Sequence, residues 1–118
     1  HAVVRQGLKS LLESFSEVDV VGEAGDGLEA VGLAAALNPD VVVMDINMPR
    51  MDGIQATRTI CQNHPGICVI GLSVRQDNQT EQAMRAAEAS GYMSKESAGG
   101  ELYQLIVKLV DPMEKHAL

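Results

Sequence analysis

With 118 residues, the chain has room to bury a core but not to build a second domain of ordinary size. Its composition, 46% hydrophobic and 21% charged, is close to the globular average and argues against disorder. A formal net charge of −7 repels phosphate backbones and anionic headgroups, and 3% aromatics supply no base-stacking platform, so neither direct nucleic-acid binding nor membrane binding is expected of this segment.

The first fifteen residues predict a helix, because Val4, Leu8, Leu11, Leu12 and Phe15 fall on one stripe of a 3.6-residue period. The start lacks the basic region and apolar stretch of a signal peptide. Residues 18–22 form a short β-branched run, read as a strand. Asp26-Gly27 follows with turn chemistry and a candidate helix cap, then an alanine- and leucine-rich helix over residues 28–37. Asn38-Pro39-Asp40 stops that helix. Val41-Val42-Val43-Met44 is continuously apolar, as a strand covered on both faces should be, and it ends abruptly in Asp45.

Gly53 opens the next helix, with Ile54, Thr57, Ile60 and Cys61 predicted on its inner face, and His64-Pro65-Gly66 breaks it. Residues 68–73 make another apolar strand ending in the hydroxyl of Ser73. An alanine-rich helix is predicted over residues 79–90, and a short strand runs from Gly91 to the residue before Lys95. Leu102, Leu105, Ile106, Leu109 and Val110 mark the last helix, and no pattern follows from Asp111 on. The boundaries are therefore one domain over residues 1–110 and a tail over 111–118. No run approaches the ~20 apolar residues of a membrane span. Cys61 and Cys68 are read as core packing in a reducing, cytoplasmic compartment. His1, His64 and His116 show no metal-ligand spacing.

Strands alternating with helices imply an α/β fold with a doubly wound parallel sheet, whose ligands bind beyond the carboxyl ends of the strands. Asp45, Ser73 and Lys95 stand at or just past three successive strand ends. Taken singly, each has an ordinary structural explanation. Together, a nucleophilic carboxylate, a hydroxyl donor and a flexible cation outline a phosphoryl-transfer site.

The stretch Asp45-Ile46-Asn47-Met48-Pro49, then Met51-Asp52-Gly53, Gly71-Leu72-Ser73 and Gly91-Tyr92-Met93-Ser94-Lys95 resembles the receiver domain of two-component response regulators over nearly the whole chain. Lys95-Glu96-Ser97-Ala98 is similar to the NarL/LuxR-type subfamily, although many receivers carry proline where Glu96 stands. The resemblance implies a flavodoxin-like sheet of order 2-1-3-4-5. It implies a cytoplasmic signalling receiver rather than an enzyme, with at most self-phosphorylation and self-dephosphorylation, that accepts a phosphoryl group from a histidine kinase on Asp45. Ser73 and Lys95 would contact that group, and Asp45 and the Asn47 carbonyl would bind Mg²⁺. Ser73 and Tyr92 would act as the switch, and Asn47 and Arg75 would tune dephosphorylation.

One departure stands out. Receivers begin with a strand ending in an acidic pair that holds Mg²⁺, and this sequence starts where the first helix follows. A central strand of about five apolar residues contributes on the order of 10 kcal/mol, comparable with the whole stability of a domain. Three explanations stay open: the sequence is a fragment, neighbouring chains exchange a strand in a homodimer or larger oligomer, or the flanking strands pair directly. Glu23 and Asp26 are candidate substitutes for the acids. With Asp45 and one carbonyl, Mg²⁺ affinity should be poor and phosphorylation of this chain weak. A phosphorylation-independent interaction module is the alternative function, and a mononucleotide-binding protein on the same architecture is opposed by the missing phosphate loop.

Overall fold

The computed structural model describes residues 2–16, 18–46, 53–73, 78–110 and 116–117. In chain order the elements are α1 (Ala2–Glu13), β1 (Asp19–Val20), α2 (Gly27–Leu37), β2 (Val41–Asp45), α3 (Gly53–Asn63), β3 (Cys68–Ser73), α4 (Asn78–Ala86), β4 (Gly91–Ser94), α5 (Lys95–Leu109) and β5 (His116–Ala117). The strands form one parallel sheet in the order β1-β5-β2-β3-β4.

Alternation along the strands sends side chains to two cores. Val41, Ile70, Leu72 and Met93 meet Leu12 of α1 and Leu102 and Ile106 of α5 on one face. Val42, Met44 and Val69 meet Ala30 and Ala34 of α2 and Ile60 and Cys61 of α3 on the other. The continuous apolar run of β2 follows directly from this two-sided burial. Of the predicted α1 stripe, Leu8, Leu12 and Phe15 pack on this core, with Phe15 stacked on Tyr103 of α5 at a centroid distance of 3.9 Å, while the Val4 side chain lies outside the described residues. In α3 the inner face is Ala56, Thr57, Ile60 and Cys61, while Ile54 is only half-buried.

Local chemistry sets the helix ends. The Asp26 side chain accepts the Glu29 amide at 2.8 Å, the expected cap of α2, and Asn38 closes that helix in the left-handed region at φ 46°. The α4 helix is shorter than its alanine-rich sequence predicts. The Glu88 amide donates to the Arg85 carbonyl at 2.9 Å and the Ala89 amide to the Met84 carbonyl at 3.0 Å, a Schellman ending with Glu88 at φ 73°. Conversely, α5 starts about two turns before its apolar stripe, at Lys95. Ser94 caps it by accepting the Ser97 amide at 3.2 Å, and Gly99 and Gly100 carry no side chains to reveal the period there.

The patternless tail differs most from expectation. Its residues His116–Ala117 form β5, which lies between β1 and β2, so those two strands do not pair directly. Two residues are too few to leave a periodic signature, which is why the sequence gives no hint of this strand.

Glu88 holds a backbone conformation that suits glycine, so Glu88→Gly is expected to raise unfolding free energy by about 1 kcal/mol in urea titration. Gly53 is the opposite case. A Cβ there would lie 2.5 Å from the Asp45 carbonyl oxygen and 2.5 Å from Ile46 Cα, both backbone. Gly53→Ala should therefore destabilise by about 1–3 kcal/mol in the same titration.

Candidate functional site at the carboxyl rim of the sheet

The parallel register pairs Asp45 with Leu72 and Ser73 with Ser94. Asp45, Ser73 and Lys95 are thereby carried to one rim, although Asp45 and Lys95 are 50 residues apart. Asp45 is the last residue of β2 and half-buried; Ser73 is the last residue of β3 and buried. Lys95 is the first residue of α5, directly after β4. Its Nζ donates to Asp45 Oδ2 at 3.0 Å, with the lysine side chain 14% and the aspartate 23% exposed. That exposure leaves the carboxylate reachable while water screens the pair less than on an open surface. A lysine in the first turn of a helix opposes the helix dipole, and the neighbouring carboxylate offsets this.

Tyr92 lies on β4 opposite Gly71, and its hydroxyl is hydrogen-bonded to Ser73 Oγ at 2.8 Å. Gly71 makes this arrangement fit. A Cβ at Gly71 would meet Met84 Cε at 2.5 Å and would lie 3.4 Å from both Ile46 Cδ1 and Tyr92 Cδ1. Gly53 plays a similar part on the other side. Its amide donates to the Ile46 carbonyl at 2.9 Å, which anchors α3 onto the end of β2, and within α3 its own carbonyl accepts the Thr57 hydroxyl at 2.6 Å. Neither glycine stood out in the sequence as a site residue. The available signal was a glycine inside an apolar strand, which marks a close approach.

Asn47, Met48, Pro49, Met51, Asp52 and Arg75 lie outside the described residues. The two acids considered as metal ligands have other partners: Glu23 pairs with Lys9 at 3.2 Å, and Asp26 caps α2. Among the described residues no three His, Cys, Asp or Glu side chains are grouped to hold a metal ion. Mg²⁺ takes octahedral oxygen coordination, usually with one or two carboxylates and several waters, and of the sequence-predicted ligands the described residues include Asp45.

The cysteines are structural. Cys61 is buried and its thiol donates to the Glu88 carbonyl at 3.5 Å; Cys68 donates to the Leu109 carbonyl at 3.9 Å. Burial pushes the Cys61 thiol above its ordinary value, with the charges of Glu88 and Cys68 adding to the effect, so it is a poor nucleophile. No described helix is long and apolar enough to cross a membrane.

The profile of the response regulator receiver domain matches residues 1–107. Over 106 residues the chain is 38% identical to the transcriptional regulatory protein DegU of Brevibacillus brevis, covering 90% of this chain and 45% of that protein. It is 40% identical over 106 residues to the transcriptional regulatory protein LiaR of Bacillus subtilis (strain 168), covering 90% of this chain and 50% of that one. The chain thus spans about half the length of the curated relatives it matches. A crystal structure of a two-component response regulator of the LuxR family from Aurantimonas sp. SI85-9A1 matches with a TM-score of 0.88 at 35% identity, covering 100% of this chain and 83% of that one. With strand ends, rim residues and sequence in agreement over nine-tenths of its length, the chain belongs to the response regulator receiver domain family.

Proposed function

We propose that Asp45 is the phosphoacceptor of a signalling receiver, that a histidine kinase is the donor, and that the phosphorylated domain regulates an output through a protein-interaction face. The observation that carries this proposal is the Lys95 ammonium 3.0 Å from the Asp45 carboxylate at the carboxyl rim of a parallel sheet. In the reaction, a carboxylate oxygen of Asp45 attacks phosphorus, the phosphorus–nitrogen bond of the donor breaks, and the electron pair returns to the histidine nitrogen. Lys95 is placed to balance charge on the phosphoryl oxygens. Ser73, one position past the Asp45 register, offers a hydroxyl donor.

A phosphoryl group that takes the Ser73 proton leaves Ser73 only as an acceptor from Tyr92, so the two partners compete for the orientation of this hydroxyl. The competition would couple the modification to β4 and to the flanking α4 and α5. Asn47 and Arg75 are proposed to tune hydrolysis of the acyl phosphate. Mg²⁺, when bound, would neutralise phosphoryl charge, and Asp45 with the Asn47 carbonyl would contribute ligands. With Asp45 and one carbonyl as its protein ligands, binding by this chain is expected to be weak. The names of the relatives support transcription as the regulated output of a longer protein. The second reading is a receiver-like interaction module that works without phosphorylation.

Acetyl phosphate labelling followed by intact-mass measurement separates the two. With millimolar Mg²⁺ and long incubation, the chain is expected to gain one phosphoryl group slowly, and Asp45→Asn none. Label on Asp45→Asn at the parent's rate overturns the phosphoacceptor assignment, no label on either supports the interaction module, and rapid labelling of the parent overturns the weak metal site. Lys95→Ala should slow labelling by about 10²-fold if the ammonium acts on the transferring group. Tyr92→Phe removes the hydrogen bond to Ser73 and should cost about 1 kcal/mol of unfolding free energy, measured in urea, while leaving Asp45 able to accept label.

A further inference from the structure

We propose that Met84 is a positioning residue of the rim: its methyl fills the side-chain place that Gly71 leaves vacant in β3, and it holds the Tyr92 ring where the hydroxyl meets Ser73. Among the described residues of α4, Met84 is the only buried side chain, at 0% exposed. It belongs to neither of the two cores that flank the sheet. On the outer side of the same helix Arg85 pairs with Glu81 at 3.1 Å. The burial of α4 is therefore concentrated in one flexible thioether.

The partners of that thioether are at the site. A Cβ on Gly71 would lie 2.5 Å from Met84 Cε and 3.4 Å from both Ile46 Cδ1 and Tyr92 Cδ1, so the three side chains converge on the place another residue of β3 would fill. Ile46 directly follows Asp45. Alternation along β3 puts Gly71 on the same face as Ser73, and Tyr92 pairs with Gly71 across the ladder. The Tyr92 ring therefore runs from the Gly71 position, where its Cδ1 lies, to Ser73, where its hydroxyl is bonded at 2.8 Å. A strand glycine leaves packing space, and methionine, with its three rotatable bonds, fills irregular gaps. Without the Met84 methyl that space is a cavity into which the ring can turn. The backbone fixes Met84 on the same strand. Its carbonyl accepts the Ala89 amide at 3.0 Å in the turn that closes α4, and the Ser90 amide donates to the Val69 carbonyl at 2.8 Å, two residues before Gly71. The bearing of this prop on phosphoryl transfer rests on the reading of Asp45 as phosphoacceptor; the placement of the ring does not.

Three-bond couplings about χ1 of Tyr92, with Phe15 and Tyr103 as internal references, test this by NMR in the unphosphorylated chain. The parent should report one Tyr92 rotamer. Met84→Ala should average the couplings over at least two rotamers, and Met84→Leu, close in volume, should keep one. A size exchange gives the second arm. Gly71→Ala should lower the urea midpoint of the parent, because the new methyl meets Met84, but not that of Met84→Ala, where it fills the vacated space; the double variant should return Tyr92 to a single rotamer. If Met84→Ala does not fold, recovery of folding in the double variant supports the proposal and its failure to recover overturns it. Rotamer averaging of Tyr92 already in the parent, unchanged couplings in Met84→Ala, equal averaging at Tyr103, or the same fall in midpoint from Gly71→Ala in both backgrounds would each overturn it. None of these readouts needs phosphoryl transfer, so failure of the Asp45 assignment appears in the intact-mass measurement and leaves the couplings as they are.

Discussion

The parallel pairing of Val41–Asp45 with its neighbour β3, and of β3 with β4, is the constraint on which the rest of this structure depends. A parallel ladder needs a helix between each pair of strands, and each helix must cover a face. Once these three strands are in register, their carboxyl ends share one rim. Asp45 and Lys95 then meet at 3.0 Å without any local sequence relation between them. The same ladder keeps both faces dry, which is why β2 tolerates four consecutive apolar residues and then a carboxylate only at its end.

Close packing at that rim depends on what is missing as much as on what is present. Gly53 lets α3 sit on the backbone of Asp45 and Ile46, and Gly71 leaves room for Met84, Ile46 and the Tyr92 ring. Ser94 turns the end of β4 into the start of α5 and so puts Lys95 at the junction. These residues touch no reacting group. They are positioning residues, and their effect is exerted through the backbone that carries Asp45, Ser73 and Lys95.

The sheet is less uniform than its five strands suggest. The β2–β3–β4 part is held by long ladders between two cores, whereas β1 reaches it through His116–Ala117. The pairing with β5 lies on the edge of β2 away from β3. The strongly packed half also carries the Ser73–Tyr92 hydrogen bond. The β3 and β5 pairings thus sit on opposite edges of β2.

Much of this was legible in the order of residues. The alternation of apolar runs with amphipathic stripes determined the α/β class, and the abrupt polar residues at strand ends marked Asp45, Ser73 and Lys95. The Asp26 cap could be read because a helix cap is a local interaction between residues three apart. The early end of α4 at Glu88 escaped notice, because a left-handed glutamate is an uncommon choice where glycine is usual. So did the early start of α5, hidden by Gly99 and Gly100. The contacts that decide the site are non-local: the Lys95–Asp45 ion pair and the Ser73–Tyr92 bond span 50 and 19 residues, and Gly71 approaches Met84, Ile46 and Tyr92, separations that no period encodes. The strand at residues 116–117 is the extreme case. Periodicity is a property of a segment, and two residues have none, so only their pairing with β1 and β2 makes them a strand.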